Sequence, residues 1–98
     1  MIEIRKTDVF ARWIDGLRDV RARARILVRI ERLAGGNPGD VKPVGQGVSE
    51  LRIDHGPGYR VHFKQHSDVL VILLAGGTKK TQSRDIRRAM ELANGLEE

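Results

Sequence analysis

The segment ELRIDHGPGYRVHF, residues 50–63, constrains the fold of this chain more than any other. Apolar and polar residues alternate on both sides of a His-Gly-Pro-Gly tip, which is the turn chemistry of a β-hairpin. In the first arm Leu51 and Ile53 share one face, and Glu50, Arg52 and Asp54 the other. In the second arm Tyr59, Val61 and Phe63 alternate with Arg60, His62 and Lys64. With the apolar sets turned to a core, Arg52, Arg60, His62 and Lys64 project together from the opposite face. A half-buried sheet needs polar residues there, but it does not need most of them to be cationic. Two readings stand side by side. One is a solvated face with cross-strand pairs such as Glu50 with Lys64. The other is a cationic concavity that the last helix covers only in part.

The pattern on either side of the hairpin supplies the rest of the fold. Residues 2–5, Ile-Glu-Ile-Arg, alternate as a short strand. Thr7 or Asp8 caps a helix carrying Val9, Phe10, Trp13, Ile14 and Leu17. A second helix runs from about Val20 to Ala34, with Leu27, Ile30, Leu33 and Ala34 facing inward. Gly35-Gly36-Asn37-Pro38-Gly39 stops it. Val41–Val44, interrupted by Pro43, reads as an edge strand. Beyond the hairpin strands Val48–Asp54 and Gly58–Gln65, His66-Ser67-Asp68 makes a second tight turn. Val69–Leu74 is apolar at every position, as in a central strand covered on both faces. Gly76-Gly77 breaks it, Thr78-Lys79-Lys80 forms a loop, and Thr81 caps a C-terminal helix marked by Ile86, Ala89, Met90 and Ala93. The order predicts one α+β domain over residues 1–98. An N-terminal strand and a helical hairpin pack on a small, mostly antiparallel twisted sheet with a C-terminal helix.

Composition narrows the class of function. Ninety-eight residues, 40% apolar and 32% charged, suit one soluble globular core. The longest apolar run is far short of the roughly 20 residues that span a bilayer, so no membrane role is expected. With no cysteine and no apolar leader, a cytoplasmic location is the simplest expectation. The net charge of +5, carried mostly by arginine, suits a polyanion or an acidic protein partner.

Two further features add cations. In GGTKKTQS, residues 76–83, Lys79 and Lys80 precede a helix, and Gly76 and Gly77 let the backbone turn close to a ligand. At the exit of the apolar strand these lysines meet the hairpin cations around one phosphate; the alternative is a solubilising loop. In RDVRARARILVRIER, residues 18–32, Arg21, Arg25, Arg29 and Arg32 form a stripe. That stripe suits nucleic acid, an acidic partner or a merely exposed helix face. No metal-ligand cluster, Ser-His-Asp set, dinucleotide fingerprint or Walker A spacing is present, so neither metal nor cofactor is expected.

Together, LRIDHGPGYRVHF, the apolar strand that follows and GGTKKTQSRDIRRAMELA resemble the RelE/ParE superfamily of type II toxins. The nearest likeness is to its HigB-like branch of addiction-module killer proteins, over essentially the whole chain. The resemblance implies a toxin neutralised by an antitoxin, commonly a helix-turn-helix DNA-binding protein, with the complex acting on operator DNA. RelE-like members cleave mRNA on the ribosome by metal-independent attack of the 2′-hydroxyl on the neighbouring phosphate. Carried over by residue, Arg60 of Gly58-Tyr59-Arg60 matches the arginine at the scissile phosphate, Arg52 a strand lysine, and Lys80 the basic loop residue. The tyrosine that stacks on the base in RelE is matched here by Ile86. His62 or His55 is then the candidate for proton transfer, with Lys64, Lys79, Gln82 and Arg84 around the substrate. ParE-like members instead poison DNA gyrase without catalysis, and a degenerate member would retain only antitoxin and operator binding.

Overall fold

The computed structural model describes residues 2–96. In chain order the elements are β1 (Glu3–Lys6), α1 (Asp8–Asp15), α2 (Val20–Ala34), β2 (Val41–Gly45), β3 (Val48–Ile53), β4 (Tyr59–Ser67) and β5 (Leu70–Thr78). A 3₁₀ turn (Lys79–Thr81) and α3 (Gln82–Asn94) complete them. The strands form one sheet in the order β1-β5-β4-β3-β2. Pairing is antiparallel except between β1 and β5. This is the α+β architecture that the sequence pattern predicts.

Local chemistry sets the helix ends. The Thr7 hydroxyl accepts from the Phe10 amide at 3.1 Å and caps α1. The Asp19 carboxylate accepts from the Arg21 and Ala22 amides at 3.0 and 3.1 Å and caps α2. Along α2 the buried stripe is Ala22, Ile26, Ile30 and Leu33. Leu27, expected to face inward, is 47% exposed. It follows Ile26 by one residue, about 100° round the helix, which carries it away from the sheet.

The sheet separates two apolar layers. Leu51, Ile53, Tyr59, Val61, Phe63, Val71 and Leu73 pack on one face with Phe10 and Ile14 of α1 and Ile26, Ile30 and Leu33 of α2. On the other face Val48, Leu74 and Ala75 pack with Ala89 and Ala93 of α3. A bulge serves both layers: His62 is opposite Ala75 and Phe63 opposite Leu73, leaving Leu74 unpaired on β5. The all-apolar strand is therefore covered on both faces, as expected. It lies second in the sheet rather than at its centre, which β4 occupies.

Several boundaries differ from the sequence reading: α1 ends at Asp15, so Leu17 lies beyond it, and the hairpin strands run Val48–Ile53 and Tyr59–Ser67. The β4–β5 turn falls at Asp68-Val69, because His66 and Ser67 extend β4. The 76–78 segment is strand, not loop, so only Lys79 and Lys80 of the expected loop lie outside β5, in the 3₁₀ turn. Gly76 and Gly77 do not break β5. A side chain at Gly76 would run into the Trp13 ring from α1, and one at Gly77 into the Asp85 carboxylate and Thr81 hydroxyl at the start of α3. These glycines admit the chain's own side chains, not a ligand.

Gly76→Ala and Gly77→Ala should each lose about 1–3 kcal/mol of stability through overpacking. Gly95→Ala, where the nearest non-neighbouring atom is 3.4 Å from the new carbon, should change stability far less. Urea denaturation of the three variants checks this.

Candidate functional site

The β3–β4 register puts Glu50 opposite His62 and Arg52 opposite Arg60, all four on the face that α3 partly covers. Glu50, which alternation assigns to a polar surface, has no solvent exposure at all, and neither has His62. The expected Glu50–Lys64 cross-strand pair does not form, because Lys64 lies opposite Val48. The Glu50 carboxylate instead accepts hydrogen bonds from three elements. Gln82 Nε2, in the first turn of α3, donates to both oxygens at 2.8 Å. His62 Nε2 donates to Oε2 at 3.0 Å and Arg52 Nε to Oε1 at 3.0 Å. Arg60 Nε stands 3.7 Å from Oε1. Burial pushes the Glu50 carboxyl up, but the hydrogen bonds from Gln82, His62 and Arg52 and the charge of His62 outweigh it. The net shift is below the ordinary glutamate value.

Part of the cationic face therefore answers to an internal anion. What remains faces outward. A cleft of ≈ 420 Å³ at the hairpin tip is lined by Asp40, Arg52, Asp54, Gly56, Pro57, Gly58, Arg60 and Lys79. Its shape depends on the tip: Gly56 and Gly58 take φ of +55° and +80°, which glycine adopts without strain. The Gly58 carbonyl accepts from the Lys79 amide at 2.8 Å, joining the 3₁₀ turn to the tip and holding Lys79 beside the two arginines. From the other side Arg29 of α2 donates to the carbonyls of Arg52 (2.5 Å), Pro38 (2.9 Å) and Asp40 (3.2 Å). Three cations thus stand with two carboxylates around an open space.

The sequence-derived residues divide accordingly. Arg52, Arg60 and Lys79 meet in the cleft. Lys79 and Lys80 are both exposed, and of the two Lys79 lines the cleft. His62 is sealed beneath α3, and its ring serves Glu50. Gln82 is engaged with the same carboxylate rather than open to a ligand. His55 stacks on Tyr59 with ring centroids 6.5 Å apart and lies 3.4 Å from the Asp19 carboxylate, tying the tip to the α2 N-terminus. Arg84 is exposed and lies 3.3 Å from the Asp85 carboxylate, and Lys64 lies farther along β4. Sequence reasoning did not single out Glu50, Asp40 or Asp54 as site residues. A glutamate in an alternating strand looks solvent-facing, and only the two-residue spacing Glu50-Arg52 hinted at a pair. Among the described residues no group of three or more His, Cys, Asp or Glu residues is arranged to hold a metal ion. No helix among them is long and apolar enough to cross a membrane.

Residues 12–96 match the family model described as phage derived protein Gp49-like (DUF891). The chain belongs to this Gp49-like family, which is associated with toxin–antitoxin modules. It is also 52% identical over 95 residues to an "Uncharacterized protein" of Haemophilus influenzae, covering 97% of this chain and 96% of that protein.

Because the folded Glu50 carboxyl titrates below its unfolded value, its contribution to stability is complete above the unfolded value. That contribution disappears as pH falls toward the folded one. Thermal unfolding followed between about pH 7 and pH 3 should show this acid limb, and Glu50→Gln should flatten it. Gln82→Ala, which leaves the buried carboxylate short of two donated hydrogen bonds, should cost about 1.5–3 kcal/mol at neutral pH.

Proposed function

We propose that this chain is the toxin of a type II toxin–antitoxin module, and that it acts as a ribosome-dependent mRNA endonuclease of RelE/ParE, HigB-like type. The observation that carries this reading is the pair of arginines on adjacent strands, joined by Lys79, around an open cleft. Two guanidiniums and an ammonium match the charge that develops on a phosphorane. Such charge stabilisation is commonly the largest catalytic contribution. In the reaction the 2′-oxygen bonds to phosphorus, the bond to the 5′-oxygen breaks, and a 2′,3′-cyclic phosphate and a 5′-hydroxyl result. One proton must leave the 2′-hydroxyl and one must reach the 5′-oxygen. Arginine is not a practical base, so Asp40 and Asp54 are the acceptors within the cleft and Lys79 is its donor. His62 supports the arginines from beneath and takes no part in proton transfer.

The partner is an antitoxin, with a helix-turn-helix protein bound to operator DNA as the expected form. Charge and apolar exposure on α2 support a protein partner. Val20, Leu27 and Val28 are 66%, 47% and 44% exposed. A groove of ≈ 390 Å³ beside them is lined by Ala24, Arg25, Val28, Arg29, Arg32, Ile53 and Asp54. An antitoxin segment with an apolar face and flanking carboxylates fits this surface, whereas a second copy would bring like charge against it. Arg29 links this groove to the Arg52 carbonyl, so an occupant there also bears on the cleft.

The test is induction in a bacterial host without antitoxin, with transcriptome-wide mapping of new 5′ ends beside an Arg60→Ala control. New ends in register with codons, reduced at least about a hundredfold in the variant, are expected. Growth arrest without them would point to a gyrase-poisoning mode, and normal growth to a degenerate toxin. Val28→Glu should leave the new ends in place while weakening antitoxin capture in a pull-down.

A further inference from the structure

We infer that Glu50 is a positioning residue for the cleft: its buried carboxylate fixes Arg52 and Arg60 side by side so that their outer N–H groups face a phosphate. The inference rests on the phosphate-handling reading of the cleft and adds a residue that does not itself touch the ligand.

Register makes a counter-ion necessary. Arg52 and Arg60 are directly opposite each other on adjacent antiparallel strands, an arrangement that like charges oppose. Left alone, two flexible guanidiniums would swing apart into solvent. Glu50 draws both toward one oxygen: Arg52 Nε donates to Oε1 at 3.0 Å. Arg60 Nε, buried and without a hydrogen-bond partner among the described residues, stands 3.7 Å from the same atom as an ion pair, and Arg60 Nη1 donates to the Tyr59 carbonyl at 3.3 Å. It is the Nε edge of each guanidinium that lies toward Glu50. The Arg52 and Arg60 side chains keep 32% and 13% exposure, and both line the cleft. A lysine ammonium lacks the planar fork that lets a guanidinium present one edge to Glu50 and another to a ligand.

Glu50 is fixed in turn from two sides. Gln82 binds both carboxylate oxygens from α3 and His62 binds Oε2 from β4. The carboxylate therefore cannot follow the arginines outward. With no solvent exposure and its oxygens already accepting these bonds, it is also out of reach of a substrate hydroxyl. That separates positioning from general-base catalysis. The carboxylate has a second effect of opposite sign. It cancels part of the positive charge felt at the cleft, so it weakens raw anion attraction while improving geometry.

These two effects give Glu50→Gln a signature that a purely structural role lacks. An uncleavable probe, a short RNA oligonucleotide with 2′-O-methyl substitution throughout, should bind the folded variant about 3- to 10-fold more tightly at low salt. The salt dependence of binding should also steepen, as one more cation becomes available to phosphate. Growth arrest and new 5′ ends in the same variant should fall at least tenfold. If Glu50→Gln fails to fold, Gln82→Ala carries the same test with smaller changes in the same directions. Unchanged arrest with unchanged binding would overturn the inference. So would parallel losses of binding and arrest that track a lower melting temperature. Arg60→Ala separates the two proposals: wild-type binding and arrest in that variant would sink the phosphate-handling reading, whatever Glu50→Gln does.

Discussion

An ionised carboxylate without solvent contact is the constraint around which the α3 side of this sheet is arranged. Removing such a group from water costs several kcal/mol, offset only where good geometry surrounds it with donors and opposite charge. Glu50 meets that condition through Arg52 on its own strand, His62 on the next and Gln82 on the last helix. The requirement also locks the register of the hairpin. A one-residue slip of β3 would move the carboxylate to the α1–α2 face, against the apolar Val61 and Phe63. The same contact sets α3, because Gln82 reaches Glu50 only when the helix starts directly above the β3–β4 pair.

A second device lets two helical layers approach one strand. Where β5 passes between α1 and α3, Gly76 accepts the Trp13 ring on one face and Gly77 the Asp85–Thr81 pair on the other. Gly77 is the β5 partner of Arg60, so the missing side chain also leaves the start of α3 close to the cleft. The 3₁₀ turn then needs only one backbone bond, from Lys79 to the Gly58 carbonyl, to bring its lysine to the hairpin tip. Core packing and cleft assembly thus share the same few residues.

This sharing explains which parts of the molecule were legible in the sequence. Alternation gave the hairpin faces correctly, since a period of two depends on the backbone alone. The caps at Thr7 and the glycine-rich stop after α2 were equally local. Gly76-Gly77 looked like a break because close approach of Trp13 and Asp85 is a tertiary fact with no local mark. Leu27 looked buried because leucine at that spacing usually is, while Ala22, a poorer hydrophobic signal, took the inward place. Glu50 was the largest omission. A glutamate among arginines on a polar stripe looks like surface, and only the position of Gln82, more than thirty residues later, turns it into a buried anion.

The two arginines consequently have two reasons to be where they are. Arg52 donates a hydrogen bond to the buried Glu50 and Arg60 adds its charge 3.7 Å away, and each also lines the cleft. Their presence alone does not separate a protein that handles phosphate from one that merely needs its sheet neutralised. Lys79 is the residue on which the phosphate-handling proposal leans. Among the described residues its ammonium makes no hydrogen bond or ion pair, yet its backbone is tied so that the side chain joins Arg52 and Arg60. A charge held at the mouth of a cleft without serving the fold favours a ligand there. The carboxylates of Asp40 and Asp54 beside it narrow the choice further. A site for simple anion capture would exclude them, whereas one that must move a proton from a hydroxyl has a use for them.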